Sequence, residues 1–535
     1  MTISIDTINN TLQQHNVYVK STADTGRSVY TSRSFTRGDI VLYDLPYTHI
    51  LHPRHQPTHC DYCYKSNNEI DSNHPDNLSV KISLTRCSQC KFVYYCSKPC
   101  QLSAWQSYHK LECKILRDAT NELLHIPHDS LCDLLLSCRI IRKIHGNKSD
   151  DANPLTIQQS HYQYTCDIFD AIANHIDPKS LIKYSDQQGQ YNKISGMIDY
   201  KQVSYQLIGN RELARLILSL PPLVSTAATR ELIENILIIM QCNNFSVVDD
   251  LLIERGAGVY LYGSLLNSSC CPNTTISYET MTINNIEYQH VQIFRALCDI
   301  PCDTEITHSY TDIASLTATR QNTLAQRYYY KCECIRCMQP YNESNDRYLQ
   351  GNIDGSEILL CDSHQSHQHN IDNDIERQLQ NADELQSKAE HSTINDNTST
   401  APHHELKWMK QCMDIRNKLL HKIHVRSIQT AGQVVNAALL VKDYELATDA
   451  CQQLCDKYRI VYKSLDNNQS QTYHPLLGLQ LYTLGSLYEQ LNQLQSACDI
   501  LQESLIILTV THGTNSRLVK QLHQHVAKLK KQLNT

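Results

Sequence analysis

The chain of 535 residues is too long for a single core, and its length suggests roughly three or four domains. Hydrophobic residues make up 41% and charged residues 19%, as in ordinary folded proteins, and the net charge of -7 gives no global positive field for nucleic acid or an anionic membrane. The opening "MTISIDTINNTLQQHN" lacks the cationic and apolar regions of a secretory signal, and no apolar run approaches the length of a membrane span. An intracellular protein, cytoplasmic and/or nuclear, is expected.

In chain order, residues 17–50 alternate as short strands do, with turns at Thr25-Gly26 and Arg37-Gly38-Asp39. A cysteine-rich block follows, with "CDYC" at 60–63, "CSQC" at 87–90, "CSKPC" at 96–100 and "HKLEC" at 109–113. In a reducing compartment, thiols clustered in this way point to metal rather than to disulfides. Seven cysteines and one histidine are enough to close two tetrahedral zinc sites. Cys96 with Cys100, and His109 with Cys113, stand at i,i+4 and can project from one helix face. Trp105 and Tyr108 between them can serve as a minimal core. The polar interval "SNNEIDSNHPDN" between Cys63 and Cys87 reads as a loop that leaves the ligands in place.

Residues 114–240 carry helical periodicity, as in "RELARLILSLPPLV" and "TRELIENILIIMQ". Strands and turns return over 243–312, and here "SLLNSSCCPNTT" sets Cys270 beside Cys271. Adjacent cysteines bridge to each other only with strain, so a partner elsewhere in the chain is expected. The run "KCECIRC" (331–337) offers three thiolates and leaves one tetrahedral position for a sulfur from a distant strand. Residues 341–404 are rich in Asn, Asp, Ser, Gln and His and read as a long flexible or partly helical connection. The remainder is helical. In "LQLYTLGSLYEQLNQLQSACDILQES", Gly485 and Ala497 have the spacing of the small residues where the two helices of a tetratricopeptide repeat cross, and "KDYELATDACQQLCDKY" reads as a degenerate second copy.

The block "CSQCKFVYYCSKPCQLSAWQSYHKLEC" resembles a MYND zinc finger. Together with "TGRSVYTSRSFTRGDIVLYDLPY" (25–47), "CNNFSV" (242–247), "LLNSSCCPN" (265–273), "RALCDIPCDTEITHSYTD" (295–312) and "YYYKCECIRC" (328–337), it makes the chain resemble the SET and MYND domain (SMYD) family of protein lysine methyltransferases. The motifs over residues 17–337 occur in the family's order, and "HPLLGLQ" and "THGTNS" extend the likeness loosely into the tail. The resemblance implies an α+β multidomain chain with a split SET β-fold, an inserted MYND finger and helical insert, a zinc-bound post-SET segment, and a C-terminal TPR-like α-helical domain. The expected boundaries are 1–59 for the N-terminal part of the SET domain, 60–113 for the finger, and 114–240 for the helical insert. Core SET follows at 241–317, the post-SET segment at 318–340, the polar linker at 341–404, and the helical domain at 405–535.

The resemblance also assigns roles. One zinc is implied at Cys60, Cys63, Cys96 and Cys100, a second at Cys87, Cys90, His109 and Cys113, and a third at Cys270, Cys332, Cys334 and Cys337. Cys271, Cys298 and Cys302 are expected to hold no metal. S-adenosyl-L-methionine is the implied cofactor, with Arg27, Asn243, Asn267, Ser268, Tyr310 and Tyr330 around it. Tyr310 is the implied catalytic hydroxyl and Tyr328 lines the lysine channel. Three residues depart from the family pattern: Ser28 for a glycine, which would crowd the cofactor or force a different turn; Ser268 for a histidine; and Asp303 for a turn glycine. The implied activity is methylation of lysine on a histone or non-histone protein by a monomer, with proline-containing peptides as partners of the finger and no membrane or direct nucleic-acid binding. The alternative is a catalytically weak scaffold that binds proteins through the finger and the helical tail.

Overall fold

A computed structural model describes residues 5–22, 26–67, 82–118, 125–145, 200–219, 229–328, 330–339, 344–351, 369–395, 401–463 and 472–534. Most of the polar interval between Cys63 and Cys87, the middle of the helical insert, and parts of the 341–404 connection lie outside the described residues. So does Thr25 of the expected first turn, while Gly26 opens a strand. The chain divides into two compact units: Met1–Asn267 with Asn273–His308 and Ala325–Tyr330, and Ser268–Pro272 with Ser309–Leu324 and Lys331–Thr535.

The first unit is a mixed assembly of short sheets and helices. Its strands are β1 (Val17–Thr22), β2 (Gly26–Thr31), β3 (Ile40–Asp44), β4 (Thr48–Leu51), β5 (Thr85–Arg86), β6 (Tyr94–Tyr95), β7 (Asn244–Val248) and β8 (Glu254–Val259). Then follow β9 (Asn267–Ser268), β10 (Thr274–Ile283), β11 (Ile286–Ala296) and β12 (Thr307–His308). β1 and β2 form an antiparallel ladder. The next two strands are completed by partners from far along the chain. β3 joins β11 with Leu42 opposite Phe294, and β4 joins β8 with Thr48 opposite Val259. The finger and the helices His128–His145, Tyr200–Ser219 and Arg230–Asn243 therefore occupy an excursion between strands of the same sheets. Gly256 in β8 permits the approach of β4, because a Cβ there would sit 2.1 Å from the Ile50 carbonyl oxygen.

Two buried polar devices fix this unit. Asp44, at the end of β3, accepts from the backbone N–H groups of Tyr262 and Gly263 at 2.6 and 2.9 Å, tying the sheet to the turn that leads into Asn267. Burial pushes its carboxyl up to about 7 against the pull of those two donors. Arg139, on the His128–His145 helix, pairs with Glu112 at 2.7 and 2.9 Å, lies 3.6 Å from the centroid of the Tyr108 ring, and donates to the His49 carbonyl of β4. The finger is thereby clamped to the sheet by one cation.

The second unit contains a run of helices: His369–Asn395, Ala401–Leu419, Val425–Val441, Tyr444–Val461, Pro475–Gln490, Leu494–His512 and Arg517–Leu533. Each packs on the next. The sequence-based boundary at 405 falls inside Ala401–Leu419, and the stretch read as a connection carries the 27-residue helix His369–Asn395 packed against it. Among its described side chains the buried ones are Leu379, Ala382 and Ala389, a narrow stripe that the surrounding Asn, Asp and Gln outnumber in composition. At Gly485 a Cβ would come 2.4 Å from Cγ of Leu501, so only glycine lets these two helices cross this closely. Among the described residues no helix is long and apolar enough to span a membrane.

Candidate metal centres and cofactor residues

Three groups of sulfur and nitrogen donors are gathered by the fold. They are Cys60, Cys63, Cys96 and Cys100; Cys87, Cys90, His109 and Cys113; and Cys270, Cys332, Cys334 and Cys337; within each, the donor atoms lie within 4.8 Å of one another. Four donors about 2.3 Å from a tetrahedral zinc stand about 3.8 Å apart along the edges. The sulfurs of Cys63 and Cys96 lie 3.5 Å apart, Cys96 and Cys100 3.6 Å, Cys87 and Cys113 3.7 Å, and Cys270 and Cys337 3.5 Å. His109 turns Nε2 toward Cys87 and Cys90 at 3.4 and 3.8 Å. These spacings are too long for disulfides and fit three zinc ions.

Local structure explains the finger's geometry. Ser97 caps the Lys98–Ala104 helix by accepting from the Cys100 amide at 3.3 Å, and Pro99 suits the first turn, so Cys96 and Cys100 face the same way. One π-helical turn, Trp105–His109, then leads into Lys110–Asp118 and sets the register of His109 and Cys113. Cys298 is half-buried and Cys302 exposed, and neither joins a donor group. Cys271 stands beside the third group: the neighbouring Cys334 thiol, followed by burial, pushes it well above the ordinary thiol range.

Of the residues expected around the cofactor, Asn267 meets Arg27, and with it Ser28 and Glu305. Its Nδ2 lies 3.2 Å from the Arg27 carbonyl, 2.9 Å from Ser28 Oγ and 2.9 Å from Glu305 Oε1. The carbonyl and carboxylate accept only, so they fix which end of the amide is nitrogen. The motif segments at 27–28, 267 and 305 are thus in direct contact across more than two hundred residues of chain. Asn273 stitches the same region, donating to the Glu305 carbonyl at 2.8 Å and accepting from the Thr307 amide at 2.9 Å.

Ser28 forces no turn. It sits within the regular β1–β2 ladder opposite Lys20, its side chain fully buried toward Asn267. Asp303 occupies the left-handed region at φ 59° and its carboxylate accepts from the Tyr18 hydroxyl, so aspartate carries the backbone a glycine would. In the second unit, Ser268 Oγ accepts from the Tyr310 amide at 3.2 Å, which gives the serine a contact with the tyrosine's backbone. Asn243 ends its helix and donates to Ile239 O at 2.8 Å. Burial lowers the Arg27 guanidinium, and it raises the Tyr328 hydroxyl, whose ring stands 5.5 Å from the Arg327 guanidinium. Tyr330 is half-buried. Sequence reasoning passed over Glu305, although it lies inside the quoted "RALCDIPCDTEITHSYTD"; a lone glutamate carries no spacing signal, and the structure sets it in a single bridge to Tyr30.

Residues 60–113 match the MYND finger family. Histone-lysine N-methyltransferase ASHR1 of Arabidopsis thaliana is 26% identical over 526 residues, covering 96% of this chain and 95% of its own. N-lysine methyltransferase SMYD2 of Homo sapiens is 22% identical over 512 residues, covering 94% and 95%. Histone-lysine N-methyltransferase SMYD3 of Homo sapiens is 23% identical over 450 residues, covering 83% and 85%.

Proposed function

Since its finger and its end-to-end likeness to these proteins make the chain a member of the SET and MYND domain family, we propose that it is an S-adenosylmethionine-dependent methyltransferase of protein lysine. In this reading, strands before and after the finger make a split SET fold, and the helices from 369 onward form a TPR-like domain. The observation that carries the reading is the Asn267 cluster. Three separated motif segments converge there on one side chain whose N–H groups are committed to Arg27, Ser28 and Glu305. What Asn267 has left to offer is an acceptor oxygen, which suits the ammonium group of a methionine moiety.

When bound, S-adenosylmethionine supplies an electrophilic methyl group on a sulfonium. The chain's residues do the rest. Arg27, Asn243, Asn267 and Ser268 hold the cofactor, and the Tyr330 ring covers its adenine. Tyr328 lines the lysine channel, where removal of water favours the neutral amine that displacement requires. The Tyr310 hydroxyl orients amine and methyl. The three zinc ions are structural, since each donor set is complete at four and leaves no position open. On the finger, Leu102, Trp105 and Leu111 are 56%, 37% and 57% exposed, an apolar surface that suits a proline-containing peptide.

The test is transfer of labelled methyl from S-adenosylmethionine to a lysine-containing protein pool. We expect Tyr310→Phe to reduce transfer about thirty- to a thousand-fold while cofactor affinity changes little. Equal transfer by wild type and variant would overturn Tyr310's role. Transfer absent from both, without cofactor binding, would leave the scaffold reading.

A further inference from the structure

The two all-cysteine sites have the same donors but different surroundings. A zinc ion with four thiolates carries a net charge of about minus two, and burying that charge is costly unless cations or N–H donors face the sulfurs. At the Cys60 site, among the described residues, the neutral Ser97 hydroxyl stands 3.9 Å from Cys96. At the Cys270 site there is a guanidinium.

Arg320 lies on the Thr317–Tyr328 helix and is fully buried. Its Nε points at Cys270 Sγ from 3.2 Å, and one terminal nitrogen stands 3.9 Å from Cys337 Sγ. That nitrogen also donates to Asp346 Oδ2 at 2.7 Å and to Thr317 Oγ1 at 3.2 Å, and the other donates to the Ser315 carbonyl. The orientation is therefore set by three partners outside the metal site. Asp346 has a cation of its own, since Arg336, between Cys334 and Cys337 in the chain, binds it at 2.6 and 3.0 Å. Arg320 is thus not needed merely to neutralise Asp346, and its charge is available to the thiolates. The next residue on the helix, Gln321, grips the backbone of another donor residue, giving to Cys332 O at 2.7 Å and taking from Cys332 N at 3.0 Å.

We propose that Arg320 is a positioning residue for the third zinc: its fork, held by Asp346, offsets the thiolate charge at Cys270 and Cys337 and keeps the metal bound. The inference rests on reading Cys270, Cys332, Cys334 and Cys337 as a zinc site, and it is independent of the methyltransferase reaction. Partners outside the donor set commonly change metal affinity by about ten- to a hundred-fold when removed. Lysine at 320 would restore the charge but not the fork.

The experiment measures zinc per chain and the rate of its release to a chromogenic chelator, on the full-length protein. Wild type, Arg320→Met, Arg320→Lys and Asp346→Asn are compared, with Cys334→Ser marking the third site. The expected result is three zinc ions in the wild type and faster release of one of them, about ten- to a hundred-fold, in Arg320→Met. That phase should be the one missing in Cys334→Ser, the other two should be unchanged, and Arg320→Lys should recover part of the loss. Should Arg320→Met fail to fold, Asp346→Asn decides, since it loosens the fork without emptying the site. Release from Arg320→Met, or in that event from Asp346→Asn, at the wild-type rate would overturn the proposal while leaving the zinc site intact. A wild type holding two zinc ions, with no phase lost in Cys334→Ser, would overturn the zinc reading itself.

Discussion

The finger at residues 60–113 and the helical array from His369 to Leu533 solve the same problem by different means. Among its described residues the finger buries few aliphatic side chains, chiefly Val93 and Ala104, beside cysteine, histidine and tyrosine. The array buries continuous stripes of leucine, valine and alanine, such as Val434, Ala438, Leu481 and Leu484. The first is held by metal–donor bonds, the second by apolar packing, so the two should respond to opposite perturbations. Metal binding to such small modules is worth on the order of 10 kcal/mol or more, far beyond what their burial supplies.

The largest expected effect follows from that difference. Removing zinc with a strong chelator should make the 60–113 segment susceptible to proteolysis while the helical array keeps its cooperative thermal transition. Collapse of both together, or of neither, would erase the distinction. The converse perturbation is Gly485→Val, whose Cβ would meet Leu501 Cγ at 2.4 Å. Overpacking of this kind costs about 1–3 kcal/mol or more, and it should lower the array's transition without releasing zinc.

The helical array should also respond to pH, by a smaller amount. His424 and His474 cap the helices Val425–Val441 and Pro475–Gln490, accepting from the amides of Arg426 at 3.1 Å and Leu476 at 3.3 Å. Burial lowers them to about 4 and about 3, and at His424 the neighbouring Arg426 and Arg416 act in the same direction. Folded histidines with depressed values must stay neutral, so the unfolded chain takes up the extra protons. Stability is therefore full above about pH 6.5 and falls as pH drops toward the folded values, by about 2 kcal/mol per histidine at pH 5. His424→Asn and His474→Asn, which keep an acceptor but cannot titrate, should flatten that slope in thermal melts between pH 7 and pH 5. An unchanged slope would show that neither cap carries it.

The same contrast explains what could be read from the sequence. Metal donors are local: Cys96 with Cys100 and His109 with Cys113 announce themselves by helical spacing, and Cys332, Cys334 and Cys337 by a short run. The fold then needs only to bring such groups together. Arg320 and Glu305 gave no signal, because their importance lies in what a distant strand or helix sets beside them. Ser28 is legible as a departure, and of its two expected effects the structure excludes the different turn: the residue lies inside a ladder and accepts from Asn267, a contact that depends on which face of β2 is buried. The 369–395 helix was legible only as part of a flexible or partly helical connection, since a stripe of Leu379, Ala382 and Ala389 is too thin to outweigh a polar composition.

If the cluster around Asn267 serves a methyl-donor cofactor, titration calorimetry with S-adenosylmethionine will detect it. The wild type, with zinc retained, should bind saturably at one site per chain. Asn267→Ala should weaken binding about tenfold or more, since it removes an oriented partner to a charged group, with zinc content unchanged. No heat of binding from a folded, zinc-replete wild type, or equal binding by Asn267→Ala, would contradict that role.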